Sequence, residues 1–475
     1  MPQQTLAERL ATYATSLRFE DLDTRTVHEV RRRLIDSLAC ALGAYEAPPV
    51  RAARAIARRV KSEPGASWLG GEGRTSPDLA AFVNGIHFRY LDFNDTYLSK
   101  EPAHPSDNFA AVLAAAEAAG CGGRDIIVAA VIAYEIQCRL CDAASIRARG
   151  WDHVTYGAIS TAAAAARLFG LGAEQTRQAI NLAGTPNVTL RQTRAGELSE
   201  WKGCAFANAA RNGVFAAMLA AEGLTGPAPI FEGELGFFKQ VSGPFTLPPL
   251  GGEPGADGFM IDRTSIKFWP AEYHSQSAIQ AAIELRPQIG DVRQIESLDI
   301  YSFDAAVDII GKDPEKWKPK TRETADHSLP YCTAVALTDG DVTLDSFSES
   351  RLHDRALLDL VARIKIHRDP ELTARYPRGI PNRLHVTLRD GRRFTAECEF
   401  PRGHDQNPMN DSEVEAKFLR MADRRSESFH RGEILDFCWH LDAQQSVGKL
   451  FKLFPTELPS PHRGRGIWGE GAERP

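Results

Sequence analysis

The chain has 475 residues, 43% of them hydrophobic and 25% charged, an ordinary balance for a globular protein but too long for one core, so two or three domains are expected. The net charge of −6 and the lack of any long Lys/Arg run exclude an extended nucleic-acid surface. The longest apolar run, Ile126 to Tyr134, falls far short of the roughly 20 residues of a membrane span, and the N-terminal segment, acidic early and without an apolar stretch, is no signal peptide. A cytoplasmic location is expected.

From Thr24, the spacing of Val27, Val30, Leu34, Leu38 and Leu42 predicts a helix that Gly43 can stop. A second helix is expected from Pro49 to Val60. The stretch WLGGEGRTSP lacks the third glycine of a dinucleotide fingerprint, and Pro77 follows where a helix should open, so it reads as a turn. Helices follow over 78–90, 109–120, 126–144, 158–169, 174–183 and 202–223, several of them Ala-rich and apolar nearly all round, hence buried. Cys138 and Cys141 both fall on the 126–144 segment and read as packed thiols in a reducing compartment.

No convincing strand precedes residue 240. After the Gly/Pro-rich stretch 243–258 the texture changes. IESLDIYSF (295–303) partly alternates, and RLHVTLRDGRRFTAECEF (383–400) reads as a hairpin turning at Asp390-Gly391. Helical segments are expected around 275–286 and 354–364. The chain is therefore read as mainly α: a large all-helical domain over 1–264, onto which 401–455 packs back, and a smaller α+β lid domain over 265–400. The Pro/Gly/Arg-rich tail 459–475 reads as disordered.

Five stretches hold chargeable groups where helices have little structural use for them. LDFNDTYLSKEPAHPSDN (91–108) crowds Asp92, Thr96 and His104 into a proline-broken loop, and Pro105 biases His104 away from helical geometry. GWDHVTYG places His153 just before an Ala-rich helix. Lys202 leads a small-residue helix beside Trp201. SIKFWPAEYHSQSAI sets Lys267, Glu272 and His274 among aromatics, and RETADHSLPYCTAVAL carries His327 and Tyr331. Singly, each also fits a bland role, such as a capping histidine or a snorkelling lysine. Together they form an inventory suited to proton transfer on an anionic substrate. No GxSxG elbow, P-loop or HExxH helix is present, and the histidines are not spaced as a metal cluster. Proton abstraction next to a carboxylate, with no cofactor and no metal, is the chemistry this inventory supports.

The blocks LDFNDTYLSKEPAHPSDN, EWKGCAFANAARNGVFAAMLAAEGLTGPAPIFEG, KFWPAEYHSQSAI, ETADHSLPYCTAVAL and PRGHDQNPMNDSEVEAKF, in this order over roughly residues 5 to 455, resemble the MmgE/PrpD family. The resemblance implies a cofactor-independent lyase with a helical domain, an α+β lid and a homodimeric assembly. The family includes 2-methylcitrate dehydratases of the methylcitrate cycle of propionate catabolism, and cis-aconitate decarboxylases. Pocket residues of the decarboxylase branch carry over onto Asp92, Thr96, His104, His153, Lys202, Lys267 and Tyr331. That branch has a histidine where this chain has Glu272, a departure that looks like the dehydratase pattern. The expectation is therefore dehydration of a small tricarboxylate, 2-methylcitrate. Asp92, His104, His153, Lys202 and Tyr331 are the expected catalytic groups, and Thr96, Lys267, Glu272 and His274 are expected to bind substrate. The rival readings are a decarboxylase or related polycarboxylate lyase or isomerase and, from another class, a catalytically silent binding protein.

Overall fold

The computed structural model describes residues 4–196, 198–425 and 429–454; the 459–475 tail lies outside them. The first half is helical: α1 (Leu6–Ser16), α2 (Thr24–Gly43), α3 (Pro48–Ala57), α4 (Pro77–Arg89), α5 (Phe109–Ala119), α6 (Gly123–Ala143), α7 (Val154–Leu168), α8 (Ala173–Gly184) and α9 (Trp201–Ala221). Local signals explain their limits. Asp23 caps α2 by accepting from the Thr26 amide, and Gly120, left-handed, ends α5. Pro77, which the sequence reading set against a helix start, opens α4 at its first position, where its missing N–H costs nothing.

Small residues let these helices approach closely. Gly85 of α4 lies against Ala207 of α9, and Gly213 of α9 against Thr161 and the backbone of α7; a Cβ at Gly213 would stand 2.0 Å from Thr161 Oγ1. This close packing brings the C-terminal end of α4 beside the N-terminal end of α9, where Gly203 touches Tyr90. His153 precedes the first residue of α7, four residues earlier than the sequence suggested for that helix. Three helix ends thus converge on one place.

The second half holds α10 (Gln276–Ile289), β1 (Ile295–Ser302), α11 (Leu329–Asp339), α12 (Arg355–Val361), β2 (Ile364–Arg368), β3 (Asn382–Leu388) and β4 (Arg393–Cys398). The strands form one mixed sheet in the order β2-β1-β3-β4, with β1 parallel to β2 and antiparallel to β3. Leu384, Val386 and Leu388 bury one face of β3 against α10, and Gly391 turns the hairpin with a φ of 85°. The expectation of helix through 364 is corrected here: α12 stops at Val361 and Ile364–Arg368 is a strand.

Two main cores result. One gathers α1, α2 and α4–α9, and the other collects Ile279, Leu298, Val335 and Leu384 around the sheet. The chain then returns: Val414 and Phe418 of α13 (Asp411–Ala422) belong to the first core, with α13 packed on α2. Among the described residues, no helix is long and apolar enough to cross a membrane.

Candidate active site

The loop leaving α4 spends most of its polar groups on itself. Asp95 accepts from the Ser106 amide (2.9 Å) and the Tyr134 hydroxyl (2.8 Å), and Asn94 donates to Asp107 and Ser106. Glu101 accepts from the amides of Ile146 and Arg147. Thr96 pairs backbone to backbone with Ser265, which draws the Lys267 segment alongside. These contacts build a rigid loop that presents Asp92, Thr96 and His104 to a cleft between the two cores.

Asp92 is the centre of the cleft floor. It is the one non-glycine residue with positive φ (52°) among the described residues, a conformation aspartate tolerates better than most. Five contacts hold it there. Arg89 (2.6 Å) and Lys267 (2.6 Å) donate to Oδ1, Lys202 (3.1 Å) and His327 Nε2 (3.0 Å) lie on Oδ2, and Lys267 also donates to its backbone carbonyl (2.7 Å). Burial alone would raise its pKa, but Arg89, Lys202 and Lys267 hold the carboxylate well below its usual range. Burial in turn lowers the pKa of both lysines, against the pull of Asp92 and Asp326 on Lys202 and of Asp92 on Lys267. Behind this layer Asp326 accepts from His327 Nδ1 at 2.5 Å.

Two imidazoles face each other on the helical wall. His104 and His153 meet edge to face, with ring centroids 5.8 Å apart. His104 Nδ1 lies 2.7 Å from the Asp95 carbonyl, which can only accept; the neutral ring therefore carries its proton there and turns the Nε2 lone pair toward the cleft. Burial, then Arg89 and Lys267, push the His104 pKa well below its ordinary value. Burial also lowers His153 to about 3, overriding the opposite pull of Asp152. Among the described residues neither ring nitrogen of His153 has a hydrogen-bond partner, although Asp152 Oδ1 lies 3.3 Å from Nδ1. Asp152 is held instead by Arg194 (2.8 Å) and lies 3.6 Å from Arg191. On the opposite wall, Glu272 accepts from the amide and ring of His274, the latter at 2.6 Å. That pairing lowers the Glu272 pKa although burial opposes it.

The cleft encloses about 720 Å³, part of it open to solvent. Its lining carries seven cations (Arg89, Arg147, Arg191, Arg194, Lys202, Lys267 and Lys316) against two carboxylates, Asp92 and Glu272. Leu98, Pro102, Leu198 and Ile309 supply apolar wall. Such a site can hold a small polyanion, place neutral bases beside it and stabilise negative charge that develops on it. Among the described residues, no three His, Cys, Asp or Glu side chains sit together as metal ligands.

Of the residues expected from sequence, Asp92, Thr96, His104, His153, Lys202, Lys267, Glu272 and His274 all line this cleft. Tyr331 does not. It is fully buried in the second core, and its hydroxyl donates to the Ser346 carbonyl at 2.8 Å. On α11 its side faces the sheet domain's interior, while His327, in the turn before that helix, faces the cleft. The arginines were not among the residues singled out from the sequence: Arg89 falls at the end of the helix expected over 78–90, and Arg191 and Arg194 lie between the His153 and Lys202 stretches. Their spacing of three, beside a buried Asp-His pair, was the available signal.

A family model described as the MmgE/PrpD N-terminal domain matches residues 8–249, and one for the MmgE/PrpD C-terminal domain matches 269–441. Among curated relatives, 2-methylcitrate dehydratase of Escherichia coli K12 is 30% identical, covering 78% of this chain and 80% of its own. The Cupriavidus necator 2-methylcitrate dehydratase is also 30% identical, over 85% and 86%. Human cis-aconitate decarboxylase is 26% identical over 89% of each chain.

Proposed function

Since the chain belongs to the MmgE/PrpD family, we propose that it is a cofactor-independent hydro-lyase that dehydrates 2-methylcitrate, with citrate as a second substrate. The observation that carries this reading is the pair of neutral imidazoles facing a protonatable Glu272–His274 pair across a cleft rich in buried cations.

Three carboxylates would find Arg191, Arg194, Lys202 and Lys267 within the cleft, where partial burial limits competition from water. The His104 or His153 lone pair takes the proton from the carbon next to a carboxylate. The electron pair left behind forms the double bond as the neighbouring C–O bond breaks. Lysine and arginine stabilise the enediolate charge that builds on the carboxylate oxygens. His274, its imidazolium supported by Glu272, gives its proton to the departing hydroxyl, which leaves as water. Asp92 is an unsuitable base, because protonating it would strip the partner from three buried cations; it fixes Lys202 and Lys267 in place. Thr96, whose hydroxyl donates to the Ala103 carbonyl, binds at the edge of the cleft.

The runner-up is decarboxylation of cis-aconitate, the activity named for the human relative. Both reactions need a proton donor, for the leaving hydroxyl in dehydration and for the carbanion left by carbon dioxide in decarboxylation; Glu272 favours dehydration because it stands where the decarboxylase branch has a histidine. The test follows the ultraviolet absorbance of the conjugated product, with chelated enzyme and either 2-methylcitrate or citrate. A rise supports dehydration, and replacing His104 or Lys202 by Ala should cut it by at least about 100-fold. A flat trace with both acids, with carbon dioxide released from cis-aconitate, would replace this reading by the other. A homodimeric assembly is carried over from the family resemblance and a cytoplasmic location from the sequence expectation, and gel filtration with light scattering tests the first.

A further inference from the structure

Behind the cleft a further lysine is buried, its ammonium held by groups other than the lining side chains. Lys417 enters from α13, and its ammonium, with no exposure, makes three short contacts: the Asp36 carboxylate of α2 at 2.6 Å, the Phe93 carbonyl at 2.7 Å and the Lys267 carbonyl at 2.8 Å. It also lies 3.6 Å over the Phe93 ring. The two carbonyls belong to the two segments that meet in the floor of the cleft. Phe93 follows Asp92, the left-handed residue, and Lys267 is the residue whose ammonium grips Asp92 twice. From α2, Arg33 adds two bonds to Thr264, three residues before Lys267. An apolar side chain of the same length would fill the space but leave both carbonyls without a donor.

We propose that Lys417 is a positioning residue: it fastens the Asp92 loop and the Lys267 segment in the one register at which the Lys267 ammonium reaches both the backbone carbonyl and Oδ1 of Asp92. A shift of about 1 Å between those segments would misplace the cation facing the substrate, a displacement that costs up to about 100-fold in rate. This inference rests on the dehydratase reading of the cleft.

The test uses a background in which no buried charge is stranded. Asp36→Asn with Lys417→Gln keeps a neutral N–H donor for the carbonyls, and Asp36→Asn with Lys417→Met removes it. Both are compared with wild type in melting temperature, kcat and affinity for tricarballylate, an unreactive tricarboxylate. The expected result is that both variants fold, the Met variant melting lower because two buried carbonyls lack a donor, with kcat and tricarballylate affinity at least about tenfold lower in the Met variant than in the Gln variant. Equal kcat and affinity in the two would overturn the proposal. So would loss of folding in the Met variant alone, since Lys417 would then serve the fold and not the register. Should wild type itself dehydrate neither acid, the functional reading falls, and the tricarballylate affinities still decide the role of Lys417.

Discussion

A neutral histidine inside a ring of cations is a base waiting for its substrate's charge, and His153 is the clearest case. Burial drives its pKa to about 3 in the folded chain, against about 6.5 in an unfolded one. Between these values the unfolded state binds the extra proton, so stability is complete above about pH 6.5 and declines as pH falls toward 3. At pH 5 this residue alone should cost about 2 kcal/mol relative to neutral pH. His153→Gln removes the titration, so denaturant melts at pH 7 and pH 5 should differ less for the variant than for wild type. An equal difference would place His153 in a solvated setting. Tyr331 offers the converse case. The family resemblance points to a pocket group, but its hydroxyl is spent on the Ser346 carbonyl. Tyr331→Phe should leave turnover unchanged and cost about 1 kcal/mol in stability, the net worth of one buried hydrogen bond; a fall in kcat without loss of stability would return Tyr331 to the cleft. At this scale the sequence exposed the reactive side chains that stand out against apolar surroundings, such as His104 in its proline-broken loop. It hid the arginines, because an arginine at a helix end looks the same whether it faces water or a buried aspartate.

The helices were legible because their apolar spacing is long and repetitive, as in α2, where Val27 through Leu42 mark one buried face. The strand β2 was not: five residues, Ile364 to Arg368, follow α12 so closely that their alternation is lost in the helical pattern before it. What periodicity cannot report is how close two helices come. Gly213 decides that for α7 and α9. Taken as an exposed helical glycine, it would gain up to about 1 kcal/mol on replacement by alanine. In place, the added Cβ meets Thr161 Oγ1 at 2.0 Å and the Ala162 amide at 2.8 Å, and the second of these is backbone that cannot turn aside. Overpacking of this kind costs about 1–3 kcal/mol, so the clash outweighs the propensity. Gly213→Ala is expected to lower the denaturation midpoint. Because α7 and α9 carry His153 and Lys202 at their starts, it should lower turnover as well; a stabilised, fully active variant would mean the two helices can separate at no cost.

The site belongs to neither core alone. His104, His153, Arg191, Arg194 and Lys202 come from the helical part, Lys267, Glu272, His274 and His327 from the segments that follow, and the cations among them outnumber the carboxylates. An unliganded cleft of this kind keeps His104 and His153 deprotonated, since burial and Arg89 both oppose a further positive charge. A bound trianion reverses the sign of the local field and raises both pKa values. Tricarboxylate binding should therefore take up a proton from solution near neutral pH, through whichever imidazole lies nearer the bound carboxylates, while the other stays neutral and serves as the base. Calorimetric titration with tricarballylate in buffers of different ionisation enthalpy measures this directly, since the observed heat shifts with the buffer in proportion to the protons moved. Uptake that disappears in the His104→Ala, His153→Gln double variant would tie the effect to these rings. Binding with no buffer dependence in wild type would mean that the lysines and arginines absorb the substrate's charge unaided, and that both rings stay neutral in the complex.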